Sequence, residues 1–196
     1  MDNHLVVMAK APVAGAVKSR LGAEIGVVEA TRFYRVTLAP LIRRLAWDPR
    51  WRLRFAVTPD RTAHAPLWPP RLNRQPQGRG DLGARMQAVF DDLPPGPAVI
   101  VGSDIPQIAP AHIARAFALL GRCDAVFGPA ADGGYWLVGL RRRPMIPRVF
   151  AGVRWSTGHA LADTLANCRM LEVAYLDELA DVDTAADWRC WRRREG

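Results

Sequence analysis

Residues 5–21 of this chain read LVVMAKAPVAGAVKSRL, an apolar run that leads into a basic loop with a central glycine. The run at residues 5–9 is short and bounded by loop residues, which is typical of a buried strand. Lys10 and Lys18 are the only lysines in the chain; 27 Lys and Arg less two Lys leaves 25 Arg. A lysine is a compact charge on a flexible stem, which suits a phosphate that is gripped and then moved. We therefore interpret the loop as a candidate phosphate-binding element.

The rest of the chain alternates between the spacing of strands and the spacing of helices. The first predicted helix covers residues 25–46, with Val28, Phe33 and Val36 among its inward positions. Pro40 is expected to kink or split this helix. The alternation predicts an α/β fold with a mainly parallel sheet, and the length predicts one domain over residues 1–196. The other predicted strands cover residues 53–58, 98–102, 124–128, 134–140 and 171–176, and the other predicted helices cover residues 81–93, 110–120, 156–168 and 184–193.

The composition argues against several classes of protein. No stretch of about 18 apolar residues is present, so we expect no membrane partner, and the N-terminus lacks the pattern of a secretory signal. Cys123, Cys168 and Cys190 are odd in number and widely spaced, which argues against disulfides and structural zinc. This use of cysteine favours a reducing, cytoplasmic location. The Gly-x-Ser-x-Gly pattern is absent, which argues against an α/β-hydrolase.

The formal net charge of +8 leaves three explanations open: a nucleic-acid partner, a phosphorylated substrate, or an arginine-rich composition alone. The arginines are scattered along the chain. They form no basic stripe interleaved with aromatic residues and belong to no recognisable nucleic-acid-binding module. The charge pattern therefore argues against nucleic acid as the partner.

The loop after the first strand combines flexibility with positive charge. Gly15 would let the backbone approach a ligand closely. Lys10, Lys18 and Arg20 would balance a di- or triphosphate, and an arginine can bind two oxygens at once. The Walker and dinucleotide-binding glycine patterns are both absent, so neither of those phosphate sites is predicted. The alternative is a basic surface loop.

Three carboxylates follow later strands. Asp104 comes directly after the strand at residues 98–102, where it would hold Mg²⁺ or Mn²⁺ against phosphate oxygens, with Ser103 beside it as a phosphate contact. Asp181 and Asp183 flank a single residue, so in an extended segment both side chains point to the same face. One of them would complete the metal site. The alternative is that these carboxylates cap turns or helix starts.

Residues 132–135 read DGGY, a carboxylate before a pair of glycines. Glycines with positive φ would suit the floor of an acceptor site, and Asp132 would bind the acceptor or act as general base. Trp155 would stack on a ring of the ligand. The alternative is a simple hairpin turn, for which Asp-Gly is a strong signal. The predicted acceptor-binding residues are Asp132, Gly133, Gly134, Tyr135 and Trp155.

Residues 75–86 form a glycine-rich loop that runs into a predicted helix. Gln77, Asp81 and Arg85 would contact a base, ribose or phosphate, and the helix N-terminus favours an anion. The alternative is an ordinary helix start with Asp81 as its cap.

Taken in order, these segments resemble the bacterial glycosyltransferase-A-like family of the nucleotide-diphospho-sugar transferase superfamily. Some members of that family are described as arsenosugar-biosynthesis glycosyltransferases. The similarity covers nearly the whole chain, and the order of its motifs makes it more specific than any one motif. The matching segments are residues 9–12 (AKAP), 18–21 (KSRL), 77–78 (QG), 81–83 (DLG), 85–86 (RM), 102–106 (GSDIP), 128–130 (GPA), 132–135 (DGGY), 137–140 (LVGL), 155–157 (WST) and 181–184 (DVDT).

The resemblance implies a three-layer α/β/α sandwich of glycosyltransferase-A type, a metal held by Asp104, and a nucleotide against the N-terminal loop. Family members usually have threonine where this chain has Ser19, a change that keeps the hydroxyl. Residues 59–73 depart from the family pattern. Nucleotidyltransferases of the superfamily usually begin with Gly-Gly-x-Gly-x-Arg, which this chain lacks, and this favours glycosyl transfer.

We therefore expect a metal-dependent transferase that moves a sugar from a nucleotide-sugar to a small-molecule acceptor, with Asp132, Lys18 and Arg20 as catalytic residues. The alternative is a nucleotidyltransferase that uses a nucleoside triphosphate, acts on a phosphorylated or carboxylated small molecule, and releases pyrophosphate. A third possibility is a non-catalytic nucleotide or nucleic-acid binder, which would leave the carboxylates at the strand ends without a role. The sequence leaves the oligomeric state open.

Overall fold

The structure is a computed structural model that describes residues 2–70, 72–142 and 145–195. Strands and helices alternate along the chain, as the hydrophobic pattern predicts. The elements in chain order are β1 (His4–Lys10), α1 (Ser19–Ile25), α2 (Val27–Ala46), β2 (Arg52–Thr58), a 3₁₀ turn (Asp60–Thr62), β3 (Arg74–Pro76), α3 (Leu82–Asp92), β4 (Ala98–Gly102), α4 (Pro110–Leu120), β5 (Ala125–Pro129), β6 (Tyr135–Leu140), α5 (Ala160–Ala166), β7 (Val173–Tyr175) and α6 (Ala185–Glu195).

Seven strands form one sheet in the order β3-β2-β1-β4-β6-β5-β7. All neighbouring pairs are parallel except the two that involve β6, which runs antiparallel to both β4 and β5. The antiparallel pairing follows from the short turn between β5 and β6, because a parallel partner would need a long crossover. The predicted α/β fold with a mainly parallel sheet is confirmed.

The direction of β6 matters for the site. Every other strand points the same way, so the loops that follow those strands open at one edge of the sheet, called here the carboxyl edge. Because β6 runs the other way, it begins rather than ends at this edge. The turn between β5 and β6, which contains Asp132, therefore lies at the carboxyl edge together with the loops after β1 and β4.

Helices cover both faces of the sheet. Leu5 and Val7 of β1 pack in a buried cluster with residues of α2 and α4, such as Leu41 and Phe117. The alternate residue Val6 joins a second cluster on the other face, where α3 and the segment around Phe150 pack. Successive strand side chains point to opposite faces, so one sheet lies between two helical layers. The three-layer sandwich implied by the resemblance is confirmed.

The helix α2 differs from its prediction in two respects. It runs unbroken from Val27 to Ala46 with Pro40 inside it, so Pro40 does not split the helix. A proline leaves the carbonyl four residues earlier without its helical hydrogen bond. That residue is Val36, which is 52% exposed and can therefore bond to water. Val28 is also exposed, at 75%, so the predicted inward positions Val28 and Val36 are wrong, whereas Phe33 is buried as predicted.

Other elements also differ from the sequence-based prediction. The helix α1 and the strand β3 were not predicted, and the helix predicted at residues 156–168 begins only at Ala160. No helix among residues 2–70, 72–142 and 145–195 is long and apolar enough to cross a membrane.

Candidate active site

The loops after β4, β5 and β7 bring acidic side chains to the carboxyl edge of the sheet. Asp104 follows β4 by two residues. A parallel bridge between Ala130 and Leu179 extends the pairing of β5 with β7 beyond the two strands. This bridge carries the chain that contains Asp181 and Asp183 along the same edge, toward the loop after β4.

Asp104, Asp181 and Asp183 form a cluster, called here the acidic triad. Each carboxylate offers one oxygen, and these oxygens lie within 4.8 Å of one another. Two oxygens on opposite sides of a bound Mg²⁺ would be about 4.2 Å apart, and carboxylates are the ligands that Mg²⁺ and Mn²⁺ prefer. The chemistry and the spacing of the acidic triad therefore fit a divalent cation.

The ammonium of Lys18 already lies between two members of the triad. Its Nζ donates to Oδ1 of Asp183 at 2.8 Å and to Oδ2 of Asp104 at 3.3 Å. The Lys18 side chain is only 3% exposed, whereas the side chains of Asp104 and Asp183 are 45% and 32% exposed, so a buried ammonium meets carboxylates that are partly open to solvent. Arg20 supplies a second cation from the exposed side, with Nη1 3.6 Å from Oδ2 of Asp183. The acidic triad thus attracts a positive charge in this structure.

Burial and the neighbouring charges of the cluster shift the pKa values of Asp181 and Lys18. Burial and the neighbouring Asp183 carboxylate raise the pKa of Asp181 to about 6, against the opposing effect of Lys18. Burial disfavours the charge on Lys18, but the carboxylates of Asp104 and Asp183 outweigh it and raise the pKa of the ammonium. The Asp181 and Asp183 carboxylates therefore repel each other even with the Lys18 ammonium beside them.

The backbone at Lys18 is unusual and directs the side chain inward. Lys18 has φ 47° and ψ 49°, a left-handed conformation, immediately before the first residue of α1. Such a conformation costs a residue with a side chain about 1–2 kcal/mol, and positions of this kind cluster at functional sites. The ion pairs with Asp104 and Asp183 hold the Lys18 side chain in place in this conformation.

The DGGY segment forms a tight turn at the same edge. Oδ1 of Asp132 accepts a hydrogen bond of 2.8 Å from the backbone N–H of Gly134. Gly133 has φ 81°, and a Cβ at this position would overlap the carbonyl oxygen of Gly158, so only glycine fits here. Asp132 is exposed, and its charge contributes to the raised pKa of Asp181. The segment therefore forms the hairpin turn that the sequence analysis gave as its alternative, and this turn places Asp132 near the acidic triad.

Comparisons with known proteins identify the family of this chain. The profile of the family described as "Uncharacterized protein conserved in bacteria (DUF2064)" matches residues 41–157. A crystal structure from Desulfovibrio desulfuricans G20, described as a "putative nucleotide-diphospho-sugar transferase", matches 100% of this chain and 88% of its own. The two chains are 33% identical, with a TM-score of 0.89. This chain belongs to the DUF2064 family. The expected kinship with nucleotide-diphospho-sugar transferases is confirmed, and with it the class of enzyme, a transferase.

More distant structures share the fold. The Rv0371c protein from Mycobacterium tuberculosis H37Rv, solved in complex with manganese, is 17% identical over 97% of each chain, with a TM-score of 0.54. A CMP:2-keto-3-deoxy-manno-octonic acid synthetase solved with CTP is 12% identical over 100% of this chain and 98% of its own, with a TM-score of 0.60. No curated protein sequence gives a significant match.

In this DUF2064 chain, one residue that the sequence analysis missed connects the loops of the site. The hydroxyl of Tyr34 lies 2.8 Å from Oγ of Ser103, donates to the carbonyl of Lys10 at 3.1 Å, and is 3.2 Å from the N–H of Lys10. Burial raises the pKa of Tyr34 to about 12, so the hydroxyl keeps its proton. The i, i+4 spacing of Ala30, Tyr34 and Leu38 on the buried face of α2 was the signal that could have found it.

The loop at residues 75–86 holds the sheet together. Nε2 of Gln77 donates to the carbonyls of Ala9 and Ala56, and Oε1 accepts from Nη1 of Arg85 at 3.1 Å. Asp81 is the N-cap of α3 and accepts from the N–H of Ala84 at 2.8 Å. The structure therefore shows the helix start capped by Asp81 that the sequence analysis gave as the alternative for this loop. Gln77 has its amide nitrogen engaged with the backbone, next to the start of the Lys10 loop.

Tyr135 and Trp155 lie on the face of the sheet covered by α3. The hydroxyl of Tyr135 is 3.4 Å from Oγ1 of Thr164, and the ring meets Trp155 edge-on, with centroids 6.3 Å apart. The Trp155 ring approaches Gly83 so closely that a Cβ there would lie 2.7 Å from it. These contacts give both rings a packing role. They do not bring either ring into the hydrogen-bonded cluster around Lys18.

Proposed function

We propose that this chain is a metal-dependent glycosyltransferase that moves a sugar from a nucleotide-sugar donor to a small-molecule acceptor. The observation that carries the proposal is the convergence of the acidic triad with Lys18 and Arg20 at the carboxyl edge. Ligands of open α/β sheets bind at that edge. The 33% identical relative with a full-length match supports the choice of substrate class.

Asp104, Asp181 and Asp183 would hold Mg²⁺ or Mn²⁺. A divalent cation there would supply positive charge to the donor diphosphate and to the nucleoside diphosphate that leaves. The hard carboxylate oxygens, their spacing, and the ammonium that they attract all support this assignment. The manganese complex of the M. tuberculosis protein favours Mn²⁺ as the first ion to test.

The N-terminal loop would bind the phosphates. Arg20 is 72% exposed and lies at the rim of the acidic triad, where it could pair with two phosphate oxygens. Gly15 has positive φ, and a Cβ there would meet nothing within 4 Å, so a ligand could approach its backbone. We assign Lys10, Ser103, Gln77, Asp81 and Arg85 to the surroundings of the nucleotide.

Asp132 would act on the acceptor. Its Oδ1 is engaged by Gly134, which fixes the carboxylate and leaves the second oxygen free to accept the proton of an acceptor hydroxyl. The hydroxyl oxygen would bond to the sugar as the bond between sugar and diphosphate breaks. Gly133, Gly134, Tyr135 and Trp155 complete the acceptor side of the proposal, the last two through packing beneath the turn.

A nucleotidyltransferase is the second candidate, because the synthetase solved with CTP shares this fold. In that reaction Lys18 and Arg20 would bind a nucleoside triphosphate, and pyrophosphate would leave. The product therefore decides between the two reactions: glycosyl transfer releases a nucleoside diphosphate, and nucleotidyl transfer releases pyrophosphate.

The first prediction tests the metal site. We expect Mn²⁺ with a nucleotide-sugar or a nucleoside triphosphate to raise the melting temperature, since ligand at 100 times its Kd stabilises a protein by about 2.7 kcal/mol. Asp104→Asn removes one ligand charge and should abolish the part of this shift that depends on Mn²⁺. The measurement is a thermal-shift screen of both ligand classes, followed by assays for nucleoside diphosphate and pyrophosphate.

Asp177→Asn is the matched control, because Asp177 is 71% exposed and lies outside the acidic triad. It should leave the Mn²⁺-dependent shift unchanged. An equal shift in Asp104→Asn and in the unaltered protein would contradict the metal assignment.

The free thiols of Cys123, Cys168 and Cys190 fit a reducing compartment, so we include a cytoplasmic location in the proposal.

A further inference from the structure

The Lys18 ammonium and a divalent cation would need the same place. Nζ of Lys18 lies 2.8 Å from Asp183 and 3.3 Å from Asp104, within hydrogen-bonding distance of two of the three carboxylates that would ligate the metal. An ion ligated by these oxygens would lie only a few ångströms from the ammonium. Like charges at such a distance repel each other.

The Lys18 side chain is able to leave without unfolding its surroundings. Within the described part of the chain, the hydrogen bonds of its Nζ go only to side-chain oxygens, those of Asp104 and Asp183. The backbone is anchored separately, because the carbonyl of Lys18 accepts from the N–H of Gly22 in α1 at 2.8 Å. A flexible four-carbon stem can therefore swing while α1 stays in place.

A phosphate at this edge would give the displaced ammonium a new partner. Arg20 adds an exposed positive charge at the rim of the cluster. In the same loop, the space around Gly15 is open, so a ligand could approach its backbone. In the absence of a phosphate, an ammonium displaced from the triad would lose its two carboxylate partners and gain no other anionic partner, which is unfavourable. With a phosphate present, both the metal and the ammonium have anionic partners.

We propose that Lys18 is a built-in cation that occupies the acidic triad until metal and a phosphorylated ligand arrive together, and that it then transfers from the carboxylates to the phosphate. The inference rests on the proposed metal site. It makes Lys18 the residue that couples metal binding to binding of a diphosphate. The metal alone then binds weakly. The metal raises the affinity for the diphosphate, and the diphosphate raises the affinity for the metal by the same factor.

The composition of the chain makes the transfer directly observable. Lys10 and Lys18 are the only lysines, so protein labelled with ¹³C at lysine Cε gives two side-chain signals, which Lys10→Met assigns. We expect the Lys18 signal to shift when Mg²⁺ and inorganic pyrophosphate are added together. Mg²⁺ alone should leave it close to its starting position. This measurement uses the unaltered protein, so it does not depend on the folding of a variant.

Binding of Mn²⁺, followed by the electron spin resonance of the free ion, gives an independent test. Lys18→Met removes the competing cation and should tighten Mn²⁺ binding in the absence of pyrophosphate by about 5- to 150-fold, the usual range of coupling between sites. It should also remove the further tightening that pyrophosphate causes in the unaltered protein. Arg115→Met is the matched control, because it also removes one positive charge, while Arg115 is 57% exposed and pairs with Asp177, which lies outside the acidic triad.

The outcomes separate the inference from the metal site. If Lys18→Met binds Mn²⁺ no more tightly than Arg115→Met, and the Lys18 signal does not shift when Mg²⁺ and pyrophosphate are added, the inference is overturned while the metal site stands. If neither the unaltered protein nor Lys18→Met binds Mn²⁺, with or without pyrophosphate, the proposed metal site itself fails.

Discussion

At the scale of the residue, a single phenol ties together two loops of the candidate site. The Tyr34 hydroxyl bonds to both backbone groups of Lys10, at the end of β1, and to Ser103, which precedes Asp104. Tyr34 is 3% exposed, so water cannot replace these bonds. We infer that Tyr34 positions the loop of Asp104 relative to the start of the basic loop, although it touches neither carboxylate nor ammonium of the cluster.

The second prediction concerns this hydroxyl. Tyr34→Phe keeps the ring and removes the hydroxyl, and with it the hydrogen bonds to the backbone of Lys10 and to the buried Oγ of Ser103. We expect the free energy of unfolding to fall by about 1–3 kcal/mol, measured by urea denaturation. Tyr175→Phe is the matched control, since Tyr175 is 48% exposed, and it should change stability by less than about 0.5 kcal/mol. Equal losses in the two variants would contradict the role given to the Tyr34 hydroxyl.

At the scale of the element, the β5–β6 hairpin decides where Asp132 lies. Its turn packs against the segment that leads into α5, and the N–H of Leu161 donates to the carbonyl of Gly133 at 3.0 Å. Gly133 has both a positive φ and a close neighbour in Gly158, and the two constraints have separate energetic costs.

The third prediction separates these costs. Gly133→Ala would force a left-handed alanine into the space of the Gly158 carbonyl. Gly152→Ala is the matched variant, because Gly152 also has positive φ, at 68°, but a Cβ there would meet nothing within 4 Å. We expect Gly152→Ala to cost about 1–2 kcal/mol of stability, and Gly133→Ala to cost about 1–3 kcal/mol more. Equal costs in urea denaturation would show that the turn and α5 are not tightly packed.

The elements also show what the sequence could and could not predict. Long segments with a clear hydrophobic period, such as α2 and α4, were predicted as helices because one face is apolar throughout. The helix α1 was missed because it begins after a left-handed lysine with no side-chain cap and contains Gly22. The strand β3 was missed because its three residues are not apolar, and only pairing with β2 makes them a strand.

The candidate site was predictable in its residues but not in its contacts. The positions of Asp104, Asp181 and Asp183 after strands predicted that they would meet, and the structure brings them together. No local pattern could show that Lys18 bonds to carboxylates 86 and 165 residues away. The sequence analysis assigned Lys18 to the phosphate, and the structure places it between Asp104 and Asp183.

At the scale of the whole molecule, the site depends on a helix from the other end of the chain. In α6, Trp191 meets Phe33 of α2 edge-on, with ring centroids 4.9 Å apart. Oδ2 of Asp187 accepts hydrogen bonds from the N–H groups of Asp183 and Thr184. The packing of α6 on α2 therefore supports the backbone that presents Asp183.

The fourth prediction tests this support. Trp191→Ala removes the contact with Phe33 and should loosen α6, so amide hydrogen exchange across Ala185–Glu195 should become faster. The affinity for Mn²⁺ should fall with it, because Asp183 loses a fixed backbone. Trp47→Ala is the matched control, since Trp47 is 80% exposed, and it should leave exchange in α6 unchanged. Unchanged exchange in Trp191→Ala would contradict the role of this packing.

The unequal exposure of the two lysines has a practical consequence. Lys10 lies at the surface, whereas the Lys18 side chain is 3% exposed. A reagent that acylates side-chain amines should therefore modify Lys10 and spare Lys18, which provides a single lysine for a fluorescent dye or for attachment to a sensor surface. The dye would then report from the end of β1, at the start of the basic loop.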